Sequence, residues 1–375
     1  MKLFSPIITE IGDELRVQAH YQLETPFSVE LPPYIAFTFP KIYKDFLANT
    51  MEPYVMAVLF LAMKTNEDIH VEGTLSPHFL YNMQEYQQNF IFFSKEKLSQ
   101  INIIPDNIQT DNNVSQQTLA CFSGGVDSFY SLIKNQQLPS SLASYKVSHA
   151  VFIKGFDFFL PQHEGNYEKI YPHYKKMLLE QFGIDLIPVS TNFRHVIEHF
   201  NVYPWEATHG AALGSIGLLF KGGFDRYLIA SSDAYDTLID GWGSHPIPDR
   251  LIATESFRSL HHATEASRFE KTTFLAHQPA TYDHLRVCWE KPNGLQNCGQ
   301  CSKCLQVMMY LEHEDKLQHY TSFPKEIDLA LVKKAKISKN DPFFFGFVRS
   351  FIQKLKAKEK HELAHAIEVS LEREL

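Results

Sequence analysis

The stretch "TLACFSGGVDSFYSLIK", Thr118 to Lys134, decides the predicted fold. A short apolar run, "TLACF", reads as a strand, and "SFYSLIK" has helical spacing. Between them lie small and polar residues. A helix N-terminus offers free backbone N–H groups and a partial positive charge, which attract phosphate. Glycine lets the backbone approach the phosphate oxygens closely. The stretch therefore predicts a phosphate-binding loop formed by Ser123, Gly124, Gly125, Val126, Asp127 and Ser128, in which Asp127 can hold Mg²⁺.

Strand and helix patterns alternate downstream of this loop. "SHAVFIKGF", "DLIPVS" and "RYLIASS" read as strands, and "NYEKIYPHYKKMLLEQF" and "ATHGAALGSIGLLFK" as helices. This alternation predicts an α/β fold with a parallel sheet, in which ligands bind beyond the carboxyl ends of the strands. Phe156, after the second strand, is a candidate for packing against adenine. Asp233 and Asp236, after the fourth, are candidates for substrate contact, although either position could be a simple turn.

The sequences on either side of this region show no comparable cluster of polar residues. Before the loop, "RVQAHYQLE", "PYIAFTFP" and "NFIFF" read as strands, Met56 to Met63 reads as a buried helix, and Ile103 to Gln117 reads as a linker. After about Pro324 the chain looks helical and mixed in charge. We therefore expect an α+β extension over residues 1–115, a nucleotide-binding domain over 116–315 and a helical tail over 316–375.

Four of the five cysteines fall in "CWEKPNGLQNCGQCSKC", as Cys288, Cys298, Cys301 and Cys304. Four thiolates at this spacing can surround Zn²⁺ as a closed, structural site. An iron–sulfur cluster could use the same ligands, and Cys298 with Cys301 could form a redox or thiol-transfer pair. Four cysteines at this spacing favour a zinc site over an iron–sulfur cluster or a redox pair. Cys121 reads as a small core residue.

The loop and the cysteines together resemble a known family. "SGGVDS" is similar to the pyrophosphate loop of the N-type ATP pyrophosphatases, whose HUP/Rossmann-like domain cleaves ATP between the α and β phosphates and adenylates a substrate oxygen. With the later C-x₉-C-x₂-C-x₂-C pattern, the chain looks most like 7-cyano-7-deazaguanine synthase over about Leu119 to Leu311. That resemblance implies ATP, Mg²⁺ and Zn²⁺ as cofactors. It also places Lys271, in "RFEKTTFL", at the family's lysine, which we interpret as the catalytic cation for the negative charge that develops on the α phosphate.

The sequence departs from this family around the predicted substrate pocket. Where the family has an Arg-Asn pair after proline, this chain has "YPWEATHGAAL", with Thr208 and His209. "SSDAYDTLIDGWGSHPIPD" replaces the family's substrate segment after the fourth strand. The ATP machinery is thus retained and the substrate contacts, for which Thr208, His209, Asp233 and Asp236 are candidates, are changed.

Composition narrows the class of protein. The net charge is −8, which argues against nucleic acid or anionic lipid as a partner. "MKLFSPIITEIGDELRV" does not read as a signal peptide, and the apolar run "PYVMAVLFLAM" is too short to span a bilayer, so we expect a cytoplasmic protein. "HELAH", His361 to His365, matches the H-E-x-x-H protease motif, but its charged helical surroundings indicate a solvated helix.

Three functions compete at this point. The first is an ATP-dependent C–N ligase that adenylates a small-molecule or protein carboxylate, releases pyrophosphate and then AMP, and forms an amide or nitrile with ammonia or an amine. The second is a tRNA-modifying ligase or thiolase, and the third is a non-catalytic nucleotide-binding component of a larger complex. Asp127 favours catalysis, since a scaffold does not need it. The sequence leaves a homodimer or a protein partner open.

Overall fold

The computed structural model describes residues 1–25, 30–94, 98–158, 164–199, 201–288, 290, 293–335 and 342–373. The strands in these ranges are β1 (Lys2–Leu3), β2 (Ile7–Ile11), β3 (Glu14–Gln22), β4 (Tyr34–Pro40), β5 (Ile69–Leu75), β6 (Ile103–Ile108), β7 (Thr118–Cys121), β8 (Val147–Lys154), β9 (Asp185–Thr191), β10 (Arg226–Ala230) and β11 (Arg258–His262). The helices are α1 (Glu52–Thr65), α2 (Pro77–Phe93), α3 (Val126–Gln136), α4 (Glu164–Phe182), α5 (Trp205–Leu219), α6 (Pro246–Asp249), α7 (Arg268–Ala276), α8 (Ser302–His313), α9 (Leu329–Lys334), α10 (Pro342–Ala357) and α11 (His361–Arg373).

The described strands form one sheet of mostly parallel strands, in the order β11-β10-β7-β8-β9-β4-β3-β1-β5-β6, with β2 paired to β3. The five strands from β11 to β9 are parallel, and β4 joins them antiparallel to β9. Numbered along the chain, these five strands have the spatial order 3-2-1-4-5, because β7, the first of them, lies between β8 and β10. The chain is therefore an α/β protein, as the alternation of strand and helix patterns predicted.

The N-terminal residues contribute strands to this same sheet. "RVQAHYQLE" and "PYIAFTFP" lie in β3 and β4, as predicted, and α1 contains the predicted buried helix Met56 to Met63. The predicted strand "NFIFF" is wrong, since Asn89 to Phe93 are the last residues of α2. The predicted linker begins with the edge strand β6, which pairs in parallel with β5.

Backbone contacts divide the chain into two compact units. The first comprises residues 1–123, 131–231 and 238–264 and contains the whole described sheet. Its core includes α1, which is buried on all sides from Glu52 to Met63 and packs against α5. A helix that is apolar all round is found in the interior of a protein. The helix α1 therefore lies in the hydrophobic core of the first unit.

The second unit comprises residues 124–130, 232–237 and 265–375. Its described helices α7 and α8 pack together, and α11 packs against both α9 and α10. An aromatic cluster holds this unit, with Phe269 on α7 in edge contact with Tyr310 on α8 and Phe351 on α10. Within the predicted tail, the described residues include the helices α9, α10 and α11. No helix in the described parts of the chain has the length and apolar run that a membrane crossing requires.

Candidate anion-binding site and cysteine cluster

The glycine-serine loop leads from β7 into α3, as its sequence predicted. Gly124 has φ +77°, a left-handed conformation that glycine adopts without steric cost. The carbonyl of Gly125 accepts a hydrogen bond from the backbone N–H of Phe129 at 3.0 Å and one from Ser128 Oγ at 3.1 Å. Asp127 therefore stands in the first turn of the helix, where backbone N–H groups have no helical acceptor.

Two cations from α7 face Asp127 within the second unit. Arg268 Nη2 donates to Asp127 Oδ2 at 2.8 Å, and Lys271 Nζ lies 3.6 Å from Asp127 Oδ1. These cations are three residues apart and so share one side of the helix. A reciprocal cap fixes where α7 begins, because Ser267 Oγ accepts from the N–H of Glu270 while the Glu270 carboxylate accepts from the N–H of Ser267.

The Lys271 side chain is completely buried, at 0% exposure. Burial lowers its pKa, Asp127 opposes that shift, and the positive charge of Arg268 lowers the pKa further. The carboxylates of Asp233 and Glu265 are also close enough to raise it. Glu265 in turn accepts a hydrogen bond from Tyr130 Oη at 3.0 Å. The structure thus brings Asp127 and Lys271, both predicted site residues, into one charged cluster with Arg268.

This cluster can bind an anion at the start of α3. It combines a helix N-terminus with two cations, and a phosphate group could exchange for the Asp127 carboxylate on Arg268 and Lys271. The Asp127 carboxylate could supply an oxygen ligand to Mg²⁺, and the two cations could hold phosphate oxygens.

The four predicted cysteine ligands converge on one point in the second unit. Their sulfur atoms all lie within 4.8 Å of one another, and Cys298 Sγ lies 3.8 Å from Cys304 Sγ. A zinc tetrahedron with bonds of about 2.3 Å has sulfur–sulfur edges of about 3.8 Å. Each of these cysteines is a free thiol. Among the described residues, this is the only group of His, Cys, Asp and Glu side chains close enough to share a metal ion.

Local structure explains why the cysteines meet. Gly299 has φ +68°, and a Cβ atom there would meet Pro324 Cγ at 2.6 Å, so only glycine suits the turn between Cys298 and Cys301. Cys301 is the N-cap of α8, and Cys304 lies in its first turn. The backbone N–H groups of Gln300 and Cys301 point at Cys298 Sγ, at 3.4 and 3.3 Å. Such N–H groups stabilise a metal-bound thiolate.

A buried asparagine, Asn297, ties the distant Cys288 to this turn. Its Oδ1 accepts from the backbone N–H groups of Val287 and Cys288, at 2.8 and 3.0 Å. Its Nδ2 donates to the carbonyls of Leu285 and Ser322, at 2.9 and 3.1 Å. Sequence reasoning missed this residue, although its position next to Cys298 was a usable signal.

The thiols differ in their tendency to ionise. Burial raises the pKa of Cys298, but the backbone N–H groups of Gln300 and Cys301 outweigh it and bring the pKa down to about 7. Burial raises the pKa of Cys301 and of Cys304. Two buried thiols that resist ionisation need a cation to become ligands, because metal binding displaces their protons.

The remaining predicted residues divide between the two units. Ser123, Phe156, Thr208 and His209 belong to the first unit, and Asp236 is exposed in the second. Phe156 is only 6% exposed and its ring packs on Trp205 at 5.2 Å. Thr208 Oγ1 donates to the Pro204 carbonyl in its own helix. Their assignments to adenine and substrate stay predictions.

The rejected protease motif lies on α11, where the side chain of His365 is 67% exposed and 3.9 Å from Glu368. The motif belongs to no candidate metal group among the described residues.

Arg268 is the main site residue that sequence reasoning missed. Its only signal was its spacing of three residues before Lys271.

In comparisons with known proteins, no family model, no curated protein and no solved structure matches the chain.

Proposed function

We propose that this protein is an ATP-dependent ligase of the N-type ATP pyrophosphatase class, similar to 7-cyano-7-deazaguanine synthase in its ATP chemistry. One observation carries the proposal. The SGGVDS loop opens a helix after a parallel strand, and its aspartate is paired with a buried lysine and an arginine. Phosphate-binding loops need such an anion-attracting helix start, and phosphoryl chemistry needs fixed cations.

The strand order supports the same class. The order 3-2-1-4-5 is that of doubly wound nucleotide-binding folds, which bind their ligand where the strand order reverses. Here the reversal falls beside β7, the strand that precedes the loop. We propose that the five parallel strands and their helices are a HUP/Rossmann-like nucleotide-binding domain.

Each residue of the cluster has a separate task in this proposal. The backbone N–H groups of the loop and Arg268 bind the pyrophosphate part of ATP. Lys271 stabilises the negative charge that develops on the α phosphate when a carboxylate oxygen attacks it. Bound at Asp127, Mg²⁺ would neutralise phosphate charge. Adenylation makes the carboxylate electrophilic, because AMP is a far better leaving group than an oxide. Ammonia or an amine then displaces AMP.

The remaining cofactor and location are part of the same proposal. The cysteine cluster holds zinc as a structural ion, since four cysteines complete its tetrahedron and leave no open position for catalysis. The protein works in the cytoplasm, where thiols stay reduced. Its substrate is a carboxylate other than the deazaguanine-type substrate of 7-cyano-7-deazaguanine synthase, because the segment after β10 differs from the substrate segment of that family.

The test is a product analysis with labelled ATP. The protein is incubated with Mg²⁺ and a panel of small-molecule and protein carboxylates, with and without ammonium. AMP and pyrophosphate should form in step with product. ADP as the main product would eliminate the proposal.

Asp127→Asn provides the variant arm of this test. It should retain the fold and lose pyrophosphate release, because the neutral amide is a poor ligand for Mg²⁺. Asp106→Asn, which changes an exposed carboxylate on β6, is the matched control and should keep full activity. Equal turnover by Asp127→Asn and wild type would show that Asp127 has no catalytic task.

A further inference from the structure

The first unit has an exposed strand edge that the proposed ATP chemistry does not use. The strand β2, with the sequence IITEI, pairs with β3 and with no other described strand. Its side chains are exposed, and Ile7, Ile8 and Ile11 have 58%, 50% and 51% of their surface open to solvent. An open edge with apolar residues is a template for pairing with another chain. We refer to the unpaired side of Ile7–Ile11 as the β2 edge.

The strands at the two ends of the described sheet are better protected than the β2 edge. The strand β6 contains Pro105, which has no N–H group to offer to another strand. The outer side of β11 is occupied by the segment before it, because the N–H of Ser259 donates to the Ile252 carbonyl at 3.1 Å. The β2 edge contains no proline, and its one charged residue, Glu10, lies 3.8 Å from Lys44.

The hydrogen bonds of β3 show which of its residues face β2. The N–H of Tyr21 donates to the Pro33 carbonyl at 3.1 Å, on the side of β4. The carbonyl of His20 accepts from the N–H of Phe4 at 2.9 Å, on the opposite side. Backbone groups of successive residues in a strand point to opposite sides. The even-numbered residues of β3 therefore direct their N–H and C=O groups to β2.

The same alternation defines the free backbone groups of β2. The residues that lie opposite even-numbered residues of β3 are Ile7, Thr9 and Ile11. Their N–H and C=O groups therefore point to β3. Those of Ile8 and Glu10 point away from β3, to the open side. The β2 edge thus offers a donor and an acceptor at each of these two residues.

One register satisfies these groups with a second copy of the chain. In an antiparallel pair with a two-fold axis at Thr9, Ile8 lies opposite Glu10 of the second copy, and each such pair exchanges two hydrogen bonds. An axis at Ile8 would set Glu10 against Pro6, which has no N–H group. An axis at Glu10 would bring two like charges directly opposite each other.

The side chains are complementary in the same register. Thr9 faces Thr9 of the second copy, and Ile7 faces Ile11 of the second copy on both sides of the axis. All of these residues are β-branched, and such side chains pack well as cross-strand pairs. They lie on one face of the sheet, opposite the face that carries the buried residues of β3.

We propose that two copies of this chain associate through their β2 edges, as a dimer with a two-fold axis at Thr9. A two-fold contact uses the same patch on both copies, and the strand is self-complementary about this residue. A five-residue strand buries less than the roughly 800 Å² per partner of a stable interface. The dimer should therefore be weak, with a dissociation constant in the micromolar range. This proposal does not depend on the proposed ligase activity.

The test is sedimentation velocity of the full-length protein at concentrations from about 1 to about 300 µM. The wild type should change from monomer to dimer over this range. Ile7→Lys and Ile11→Glu should each weaken association by about tenfold, because each removes an apolar pair on both sides of the axis. Ile108→Lys, at an exposed isoleucine of β6, is the matched control and should associate as the wild type does.

The double variant of Ile7→Lys with Ile11→Glu tests the register. Within one strand the two positions are about 13 Å apart, too far for an ion pair. Across the axis each lysine would face a glutamate of the second copy, so association should return to within about threefold of the wild type. If Ile7→Lys does not fold, Thr9→Lys replaces it as the weakening variant, because it sets two lysines opposite each other.

Three results would overturn the proposal. A wild-type protein that is monomeric at every concentration would show that the β2 edge does not bind a second copy. Association of Ile7→Lys, or of Thr9→Lys in its place, with wild-type affinity would show that the dimer contact lies elsewhere. A double variant that associates no more tightly than either single variant would exclude the register centred on Thr9.

Discussion

The cysteine cluster and the Asp127–Lys271–Arg268 cluster lie in the same compact unit but are held together in opposite ways. In the charged cluster, the Asp127 carboxylate lies against both cations, so charges of opposite sign pair within the protein. In the cysteine cluster, four groups of one kind lie within 4.8 Å of one another. When these four cysteines are ionised, their thiolates repel one another, and a bound cation is needed to offset that repulsion. A metal bound at the cysteine cluster would therefore be part of the fold, whereas the ATP of the proposed function would be a ligand of a site that is stable without it.

Loss of a cysteine ligand should have the largest effect. Structural zinc contributes on the order of 10 kcal/mol to folding, and Cys301 is one of the four predicted ligands. Cys301→Ser, or treatment with a strong chelator, should lower the melting temperature sharply and reduce the zinc content from one ion per chain. The measurements are calorimetry and metal analysis of freshly purified protein.

The fifth cysteine gives the control for this prediction. Cys121 lies in the other unit, with its Sγ 2.9 Å from Tyr227 Oη. Cys121→Ser should retain the metal. Purified wild-type protein without any bound metal would refute the closed Cys₄ site.

The second effect should appear in activity and not in folding. Lys271→Ala should cut adenylation by about a hundredfold or more, the scale expected for loss of one electrostatic group. Its effect on the melting temperature should be small compared with that of Cys301→Ser, because burying the lysine charge already opposes folding, as its lowered pKa indicates.

Lys134→Ala, at an exposed lysine of α3, is the matched control. Product formation and thermal unfolding should be measured on the same samples. If Lys271→Ala lowers the melting temperature as much as Cys301→Ser does, the charged cluster also stabilises the fold. The proposed difference between the charged cluster and the cysteine cluster would then be wrong.

The same contrast explains which parts of the site the sequence could predict. The four ligands lie within 17 residues, so their spacing alone predicted the convergence that the structure has. Asp127 and Arg268 are 141 residues apart. A single arginine in an ordinary helix has no local pattern, and its role emerges only when the fold brings α7 to Asp127.

The sequence also predicted only some of the strands and helices correctly. The parallel strands β7, β8, β9 and β10 were predicted from period and turn signals, but the parallel strand β11 was not. The strand β6 was also missed, because it contains Pro105 and Asp106, residues typical of turns that an edge strand tolerates. Asn89 to Phe93 carry aromatic residues with strand propensity, yet they continue a helix. That helix begins at Pro77 after the N-cap Ser76, a start signal 12 residues upstream of Asn89. Tertiary packing overrides the local preference there, since α2 buries Phe79, Met83 and Phe90.

Asn297→Ala should have an intermediate effect on stability. It removes the acceptor of two backbone N–H groups and the donor to two carbonyls, all near Cys288. Leaving such groups unsatisfied costs about 1–3 kcal/mol each, and loss of support behind a ligand lowers metal affinity by about 10–100-fold. Denaturant unfolding and zinc competition measure the two effects.

Asn297→Asp separates the two halves of this prediction. It keeps the acceptor for Val287 and Cys288 and loses the donor to Leu285 and Ser322. It should therefore retain more zinc affinity than Asn297→Ala. Equal zinc affinity in all three proteins would show that Asn297 does not position Cys288.

The smallest effect should be a pair of opposite pKa changes inside the charged cluster. Burial lowers the pKa of Lys271 from its ordinary 10.5, Asp127 raises it and Arg268 lowers it. Arg268→Gln should therefore raise the pKa of Lys271, and Asp127→Asn should lower it. Between the folded and unfolded pKa values the unfolded chain binds more protons, so the free energy of unfolding rises with pH across that window.

Because Asp127→Asn widens this window, its stability should increase more steeply as the pH approaches 10.5 than that of the wild type. Arg268→Gln narrows the window and should flatten the rise, while it weakens pyrophosphate binding by about tenfold through loss of one charged hydrogen bond. Denaturant unfolding across alkaline pH, with NMR of the labelled lysine side chains, measures both. If both variants move the pKa of Lys271 in the same direction, the charges of Asp127, Arg268 and Lys271 do not interact as their distances indicate. The assignment of this cluster as an anion-binding site would then be wrong.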